Sequence, residues 1–384
     1  MKIGIDISQI VYQGTGVASY TRSLVEGFSR IGTDNRYVLF GSSLRNLKIL
    51  RDFAKLFDKK IFKPRFSFLP PKFLEFLWNG IHLIPIESFI GGVDVFHSSD
   101  WLEPPTRRAK KVSTIHDLAV FKYPQTFQPR GGHNIVNNQK RKLFFVKHYG
   151  DLVIAVSQTT KQDIIDILKI PEKKIKVVYE AADSDYFPRN QDEIKTVKEK
   201  FKIKGDYFLC VGTREPRKNI DRVIVAFTQL AKELPDYSLV IAGKYGWGED
   251  VAESRIKPAC RQGRNLESRI KILGYTEKED LARLYSGTKG FIYPSLYEGF
   301  GLPILEAMAC GAPVITSNIG SMKEIASGAA FLCNPESVES IAEAMLKITK
   351  EDQNELRQKS LVRAGDFSWD KTALQTLEAY HSLL

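Results

Sequence analysis

The 384-residue chain is too long for one ordinary hydrophobic core and long enough for two domains. Its hydrophobic content of 43% and charged content of 26% are typical of a soluble globular protein. The four cysteines form no CxxC pair, which argues against a disulfide framework or a thiolate metal site and favours a reducing, cytoplasmic environment. The N-terminus lacks the pattern of a signal peptide, and polar residues interrupt the most apolar stretch, residues 73–92, so no transmembrane helix is expected.

The net charge of +11 is unevenly distributed. Residues 1–184 contain 28 Lys/Arg and 17 Asp/Glu, whereas the remaining 200 residues contain 28 of each. A basic first half predicts an anionic partner for that half, either nucleic acid or an anionic membrane surface, and the alternative is a merely solvated basic face. Because no recognition motif supports nucleic acid, we do not expect that partner.

Short apolar strands alternate with helical stretches along the chain. In the first half the pattern predicts strands at residues 3–7, 37–40, 93–97, 112–115 and 152–156. In the second half it predicts strands at residues 208–211, 239–242, 270–273, 291–293 and 314–316. Such alternation is typical of parallel sheets covered by helices on both faces. We therefore expect an α/β protein of two doubly wound, Rossmann-like domains facing a ligand cleft, residues 1–184 and 185–369.

The segment 293–316, YPSLYEGFGLPILEAMACGAPVIT, carries the clearest chemistry. Pro303 suits the first turn of a helix and Gly311 its end, which predicts a short helix from about Pro303 to Cys310. The preceding loop, Glu298-Gly299-Phe300-Gly301-Leu302, offers backbone N–H groups and glycines that a phosphate can approach. Glu298 in the loop and Glu306 in the helix would flank that pocket and accept hydrogen bonds from hydroxyls. A strand–turn–helix with solvated acids is the alternative interpretation.

The motif EGFGLPILE resembles the E-x7-E element of the retaining glycosyltransferases of family 4. The similarity continues, in order, through QGTGVASYTRSL, STIHDLAVFKYP, DLVIAVSQTTKQDI, VGTREPRKNID, LVIAGKYGW, ILGYTEKEDLARLYSG and FSWDKTALQTLEAY. The resemblance implies the GT-B fold, a nucleotide-sugar donor held mainly by the second domain and an acceptor held mainly by the first. It also implies that the last helix, residues 370–384, packs back on the first domain.

Arg217 and Lys218, in VGTREPRKNID, follow the predicted strand 208–211. Two cations can stabilise a departing nucleoside diphosphate without Mg²⁺, and in similar enzymes an Arg and a Lys here contact the donor diphosphate. Arg214 is a competing candidate. The triplet Asp183-Ser184-Asp185 matches the metal site of the other major glycosyltransferase fold, but its composition favours a turn in the polar segment 183–204. No other cluster has metal-ligand spacing, so we expect no cofactor and no metal.

Three further positions complete the expected donor site. Gly16 follows the first strand in a Gly14-Thr15-Gly16 loop, and the resemblance implies close approach to the diphosphate or sugar there; the incomplete glycine fingerprint disfavours a dehydrogenase. His116 ends the strand 112–115 and resembles the family's donor-site histidine, for which we expect a positioning role. A structural role is the alternative for His116, and Asp117 beside it could instead fix the turn. Tyr275, in ILGYTEKED, is assigned to donor binding.

The stretch 62–92, FKPRFSFLPPKFLEFLWNGIHLIPIESFIGG, interleaves aromatic side chains with Lys63, Arg65 and Lys72. Apolar bulk beside cations suits a membrane interface, and the alternative is an ordinary core helix with exposed bases. Similar enzymes often act on lipid-linked acceptors. The resemblance therefore allows an enzyme that is cytoplasmic and peripheral at the inner face of the membrane.

These features predict a retaining, metal-independent hexosyltransferase. The EPRKN and HDL contexts are similar to bacterial mannosyltransferases of cell-surface polysaccharide assembly, which favours GDP-mannose as donor and a glycan or lipid-linked acceptor. A UDP-sugar such as UDP-glucose is the alternative donor. A non-catalytic nucleotide-sugar-binding protein would keep the fold but lose the charged site, so the intact Glu298, Glu306, Arg217 and Lys218 argue against it.

Overall fold

The computed structural model describes residues 1–32, 34–127, 132–246 and 268–384, with the backbone alone at 132–134. Trp247, which closes the LVIAGKYGW motif, and Cys260 lie outside the described residues. The chain divides into two compact units. The first comprises Met1–Lys122, Gly131–Glu180 and Ser368–Leu384, and the second comprises Tyr123–Arg130 and Ala181–Phe367.

The described part of the first unit contains a parallel sheet of seven strands in the order β3-β2-β1-β4-β5-β6-β7. The strands are β1 Lys2–Asp6, β2 Arg36–Ser42, β3 Phe62–Ser67, β4 Val95–Ser98, β5 Lys110–Ile115, β6 Leu152–Ala155 and β7 Ile175–Val177. Central strands such as β4 and β6 are buried along their whole length, as expected of parallel strands covered on both faces. The strand order reverses between β1 and β4, and ligands of doubly wound sheets bind at the carboxyl ends of strands flanking such a point.

The second unit contains, among its described residues, a parallel sheet of six strands in the order β10-β9-β8-β11-β12-β13. The strands are β8 Asp206–Val211, β9 Tyr237–Ala242, β10 Ile270–Gly274, β11 Gly290–Tyr293, β12 Val314–Ser317 and β13 Ala330–Cys333. The order reverses between β8 and β11, which pair directly. The loops after these two strands therefore leave the sheet side by side.

Among the described residues, the α-helices that connect or cover the strands are, in chain order, α1 Gly16–Arg30, α2 Leu47–Ala54, α3 Pro71–Leu74, α4 Glu87–Ile90, α5 Ala119–Lys122, α6 Gly132–Tyr149, α7 Gln158–Asp163, α8 Gln191–Lys200, α9 Ile220–Gln229, α10 Lys278–Gly287, α11 Leu302–Ala309, α12 Gly320–Ala326, α13 Val338–Ile348, α14 Gln353–Gly365 and α15 Trp369–His381. None of the helices in the described part is long and apolar enough to cross a membrane.

The last helix, α15, packs on α1 within the first unit. A Cβ added to Gly27 of α1 would lie 2.9 Å from the carbonyl oxygen of Trp369, so the glycine permits the close approach of the two helices. The buried Tyr380 of α15 shares a hydrogen bond of 2.5 Å with Nδ1 of His97 in β4. The C-terminal residues are therefore tied both to a helix and to the sheet of this unit.

The structure corrects the helical interpretation at the start of the 62–92 stretch, because residues 62–67 form strand β3. Phe62 is buried and Lys63 and Arg65 are exposed, which is the alternation of a strand. Pro64 obscures the pattern, yet β3 lies at the sheet edge, where a missing N–H is tolerated. Two further short strands that the apolar runs miss are β7 and β13.

The rest of that stretch has two faces. Leu74, Trp78 and Ile86 are buried in the core, which supports the core interpretation for half of the segment. The opposite side leaves large apolar side chains exposed, namely Phe68, Phe73, Phe76, Ile81, Leu83 and Ile84. The stretch is therefore neither a wholly buried helix nor a wholly exposed one.

Candidate active site

Two adjacent loops build the charged site of the second unit. The loop after β8 continues through a single 3-10 turn, Pro216–Lys218, into Asn219, which adopts φ 61° just before α9. The Asn219 side-chain amide donates to the carbonyl oxygen of Pro294, in the loop after β11, at 2.9 Å. The Leu296 N–H also donates to the carbonyl oxygen of Arg217 at 2.9 Å. These bonds fix the EPRKN loop against the segment that leads to Glu298.

Glu298 is bound by both predicted cations. Arg217 Nη1 donates to Glu298 Oε2 at 2.8 Å, and Lys218 Nζ donates to Glu298 Oε1 at 2.7 Å. The side chains of Arg217, Lys218 and Glu298 are only 12%, 14% and 10% exposed. Three residues predicted from two separate motifs therefore form one compact, largely buried ion-pair cluster.

The cluster lowers the pKa of its carboxyl group and raises the pKa of its ammonium group. Burial alone would raise the pKa of Glu298, but the charges of Arg217 and Lys218 outweigh it and lower that pKa to about 2. Burial alone would lower the pKa of Lys218, but Glu298 outweighs it and raises that pKa above its ordinary value. The pair is therefore fully ionised at neutral pH.

The glycine-rich loop leads directly into α11. Gly301 adopts φ 107° just before the helix begins at Leu302, and the Ser321 hydroxyl donates to the carbonyl oxygen of Glu298 at 2.8 Å. The predicted helix from about Pro303 to Cys310 is thus confirmed within one residue at each end. N–H groups in the first turn of a helix have no acceptor within that helix, which is the basis of anion binding at such ends.

Glu306, the second glutamate of the motif, lies in α11 in different surroundings. The Tyr285 hydroxyl donates to Glu306 Oε2 at 3.2 Å. Burial, followed by the nearby charge of Asp183, raises the pKa of Glu306 to about 7. One glutamate of the motif is thus held as an anion, whereas the other titrates near neutrality.

Arg214 belongs to a neighbouring group. Its N–H donates to the carbonyl oxygen of Lys244 at 2.9 Å, and its guanidinium carbon lies 5.5 Å from the ring centre of Tyr245. Lys244 Nζ in turn lies 4.4 Å from the ring centre of Tyr275, which is 50% exposed. The structure therefore places Tyr275 in a cation–aromatic group after β9 and β10, whereas Arg217 shares Glu298 with Lys218. Which arginine contacts the donor stays a prediction.

The Asp183-Ser184-Asp185 triplet forms the predicted turn. The Tyr186 N–H donates to the carbonyl oxygen of Asp183 at 3.0 Å, and Lys278 Nζ pairs with the carboxylates of Asp183 and Asp185 at 2.5 and 3.4 Å. The turn interpretation is therefore confirmed. Over the described ranges, no three His, Cys, Asp or Glu side chains are grouped so that they could hold a metal ion.

His116 is the predicted site residue at the carboxyl end of β5 in the first unit. Its Nδ1–H donates to Glu180 Oε1 at 2.8 Å. Burial would lower the pKa of His116, but this carboxylate outweighs it and raises that pKa. Asp117 accepts a hydrogen bond from the Ala119 N–H at 2.8 Å, which confirms that it fixes the turn.

Gly16 is the first residue of α1, as its motif predicts. The Thr15 hydroxyl caps the helix by accepting from the Ala18 N–H at 3.3 Å. A Cβ added to Gly16 would meet no atom within 4 Å, so open space adjoins it. Its approach to a donor stays a prediction.

Both halves of the chain match family models. Residues 14–186 match the model described as glycosyltransferase family 4, and residues 191–364 match the model described as glycosyl transferases group 1. O-antigen chain mannosyltransferase B of Escherichia coli is 35% identical over 283 residues, covering 73% of this chain and 72% of that protein. The chain belongs to the family 4 glycosyltransferases.

Other relatives agree with this family. The serotype-specific mannosyltransferase WbdA of Escherichia coli is 32% identical over 280 residues, covering 72% of this chain and 34% of WbdA, so the match spans about a third of that protein. The crystal structure of Anabaena HepE in complex with UDP-glucose aligns with a TM-score of 0.71 at 16% identity, covering 100% of both chains. The predicted family and the α/β GT-B fold are confirmed.

The structure of this family 4 glycosyltransferase also adds residues that the motifs do not reveal. Glu215 and Tyr293 contact Arg217 and Lys218 in the second unit, and Glu180 contacts His116 in the first. Glu215 lies within the EPRKN motif and Tyr293 is the first residue of the 293–316 segment, so their positions are usable signals. The pairing of Tyr293 with Lys218, 75 residues away, and that of Glu180 with His116, 64 residues away, carry no local signal.

Proposed function

We propose that this glycosyltransferase transfers a hexose from a nucleotide sugar, with retention of anomeric configuration and without a metal ion. The observation that carries the proposal is the Arg217–Lys218–Glu298 cluster beside the start of α11. A nucleoside diphosphate leaves with at least two negative charges, and two fixed cations in a largely buried site stabilise them strongly. Retention and metal independence follow from the resemblance to the family's E-x7-E enzymes.

Each site residue has a role in the proposed reaction. Arg217, Lys218 and the N–H groups of Phe300, Gly301 and Leu302 hold the leaving diphosphate. Glu298 accepts hydrogen bonds from hydroxyls of the transferred sugar, and Glu306 accepts them from the ribose. Tyr275 contributes to donor binding.

The remaining steps involve the acceptor. Its hydroxyl attacks the anomeric carbon on the face that the diphosphate leaves, and its proton passes to a departing phosphate oxygen. His116 and Gly16 of the first unit position the sugar and diphosphate. No protein nucleophile and no covalent intermediate are invoked.

GDP-mannose is the donor that we favour. Two relatives at 35% and 32% identity are named O-antigen chain mannosyltransferase B and serotype-specific mannosyltransferase WbdA. We propose a glycan or a lipid-linked acceptor for this chain. The structural neighbour HepE binds UDP-glucose, which supports a UDP-sugar as the alternative donor.

Proton NMR tests the transfer reaction. The full chain is incubated with GDP-mannose or UDP-glucose and a panel of mannosides and lipid-linked glycans in EDTA. We expect a new glycosidic anomeric proton with the donor's α configuration and stoichiometric release of GDP. A β product would contradict retention, and an absolute requirement for added Mg²⁺ or Mn²⁺ would contradict the metal-free mechanism.

We also propose that the first unit docks on an anionic membrane that carries the acceptor. Phe73 and Phe76 are 47% and 60% exposed, Leu83 is 56% exposed, and Lys63 and Arg65 of the neighbouring edge strand are also exposed. Apolar side chains that enter the interface beside cations that meet lipid phosphates are typical of peripheral membrane proteins. The net charge of residues 1–184 is positive, as binding to an anionic membrane requires.

A further inference from the structure

Both oxygens of the Glu298 carboxylate are occupied in this structure. Oε2 accepts from Arg217 at 2.8 Å, and Oε1 accepts from Lys218 at 2.7 Å and from the Tyr293 hydroxyl at 3.0 Å. A carboxylate offers about four acceptor positions, and three of them are taken, so sugar hydroxyls that bind Glu298 compete with these donors. Arg217 and Lys218 then depend on other partners to stay where the diphosphate needs them.

Arg217 has a second carboxylate partner. Its Nη2 donates to Glu215 Oε1 at 2.6 Å, and its Nη1 also donates to the carbonyl oxygen of Tyr297 at 2.6 Å. The Glu215 side chain is 4% exposed and immediately precedes the turn that carries both cations. Because the guanidinium is planar, a carboxylate on one edge fixes the direction of the other edge.

Lys218 also has a second partner besides Glu298, and this partner is a neutral hydroxyl. Its Nζ donates to the Tyr293 hydroxyl at 2.6 Å. Tyr293 is the last residue of β11 and is 3% exposed, so its hydroxyl is set by the sheet. The four-carbon side chain of a lysine is flexible and does not by itself fix the position of its ammonium group. A hydrogen bond to a hydroxyl that a strand holds in place does fix that position.

We propose that Glu215 and Tyr293 are positioning residues that hold Arg217 and Lys218 when Glu298 turns to the donor. Glu215 and Tyr293 themselves touch no substrate. They hold the two cations in place while Glu298 exchanges its internal partners for sugar hydroxyls. This inference rests on the proposed function, because it requires a diphosphate at the cation pair.

The test compares Glu215→Ala, Glu215→Gln and Tyr293→Phe with the wild-type chain. Calorimetric titration with GDP-mannose and UDP-glucose, without acceptor and below the unfolding temperature, measures the dissociation constants of the folded proteins. We expect Glu215→Ala and Tyr293→Phe each to weaken binding of the nucleotide sugar about tenfold, the equivalent of one charge-assisted hydrogen bond, and to lower kcat. Binding of GDP and UDP, which carry no sugar for Glu298, should change less. Glu215→Gln keeps an oxygen that accepts from Arg217, so it should bind within about threefold of wild type.

Matched controls separate positioning from stability. Asp280 is a 10% exposed carboxylate that pairs with Arg283 elsewhere in the second unit, and the buried Tyr207 hydroxyl donates to the carbonyl oxygen of Leu284. Asp280→Ala and Tyr207→Phe should lower the unfolding temperature without changing diphosphate affinity. If Glu215→Ala does not fold, Tyr293→Phe, which removes one oxygen atom, carries the test.

Two results would overturn the inference in different ways. Folded Glu215→Ala and Tyr293→Phe that bind the nucleotide sugars like the active wild type would show that the cations need no second partner. A wild-type chain that binds neither nucleotide sugar would instead remove the proposed function on which the inference rests.

Discussion

The two glutamates of the E-x7-E motif have different surroundings, which predicts different losses on mutation. Glu298 is bound by two cations, whereas Glu306 accepts from the Tyr285 hydroxyl. We expect Glu298→Gln to lower kcat without weakening GDP binding, because it removes an acceptor for sugar hydroxyls but leaves both cations. Glu306→Gln should mainly weaken nucleotide binding, by about 1.5–3 kcal/mol. Steady-state kinetics and calorimetry measure both, and normal binding and turnover in both variants would mean that the site is misplaced.

The raised pKa of Glu306 predicts a pH dependence of nucleotide affinity. With a pKa of about 7, this carboxyl group is protonated in the free protein below neutrality. Ribose hydroxyls donate to the ionised form, so affinity for GDP should rise with pH through about 7, by at most about tenfold per pH unit. The same shift means that its contribution to folding stability falls as pH rises from the ordinary glutamate pKa towards 7.

Calorimetry on either side of neutrality measures this pH effect. The Glu306→Gln variant is the control, since it cannot titrate and should lose the dependence. A wild-type profile as flat as that of the variant would contradict the assignment of Glu306 to the ribose.

At the scale of elements, Asn219 joins the loops that follow β8 and β11. Its amide donates to the carbonyl oxygens of Pro294 and Pro335 at 2.9 and 2.7 Å, and its φ of 61° disfavours residues with an ordinary Cβ. Asn219→Ala should therefore cost about 2–4 kcal/mol of unfolding free energy and raise the dissociation constant for GDP. Asn190→Ala, which removes the cap of α8, should cost about 1 kcal/mol and leave GDP binding unchanged. Equal GDP affinity in the two variants would contradict a role of Asn219 in the site.

The elements also show what the sequence could and could not predict. Buried parallel strands such as β6 are short apolar runs, so the sequence predicts them directly. Gly301, Pro303 and Gly311 likewise predict where α11 begins and ends. Strand β3 is missed because Lys63, Pro64 and Arg65 break its apolar pattern.

Side-chain contacts between residues far apart in the chain also could not be predicted from the sequence. Tyr293 meets Lys218 only because β8 and β11 pair in the sheet, and Glu180 meets His116 only in the folded first unit. Such contacts depend on strand order, which no local motif records.

At the scale of the whole molecule, the uneven charge predicts membrane binding through the first unit. Lys63→Glu, Arg65→Glu and Lys72→Glu together should abolish flotation with anionic vesicles at low salt, because each base near such a surface contributes about 1 kcal/mol. Reversal of three exposed lysines of the second unit, Lys195, Lys204 and Lys350, is the matched control and should leave flotation intact. Wild-type protein that ignores anionic vesicles, or floats equally with neutral ones, would refute the docking surface but not the glycosyltransferase assignment.

The central claim is that Arg217 and Lys218 bind the diphosphate of a nucleotide-sugar donor without a metal ion. Calorimetric titration of the full chain with GDP and UDP in EDTA tests it most directly, with Arg217→Ala and Lys218→Ala as the variants. We predict one site per chain, tighter binding of GDP than of UDP, and at least about a tenfold loss of affinity in each variant. Absence of binding until Mg²⁺ is added, or unchanged affinity in both variants, would contradict the account.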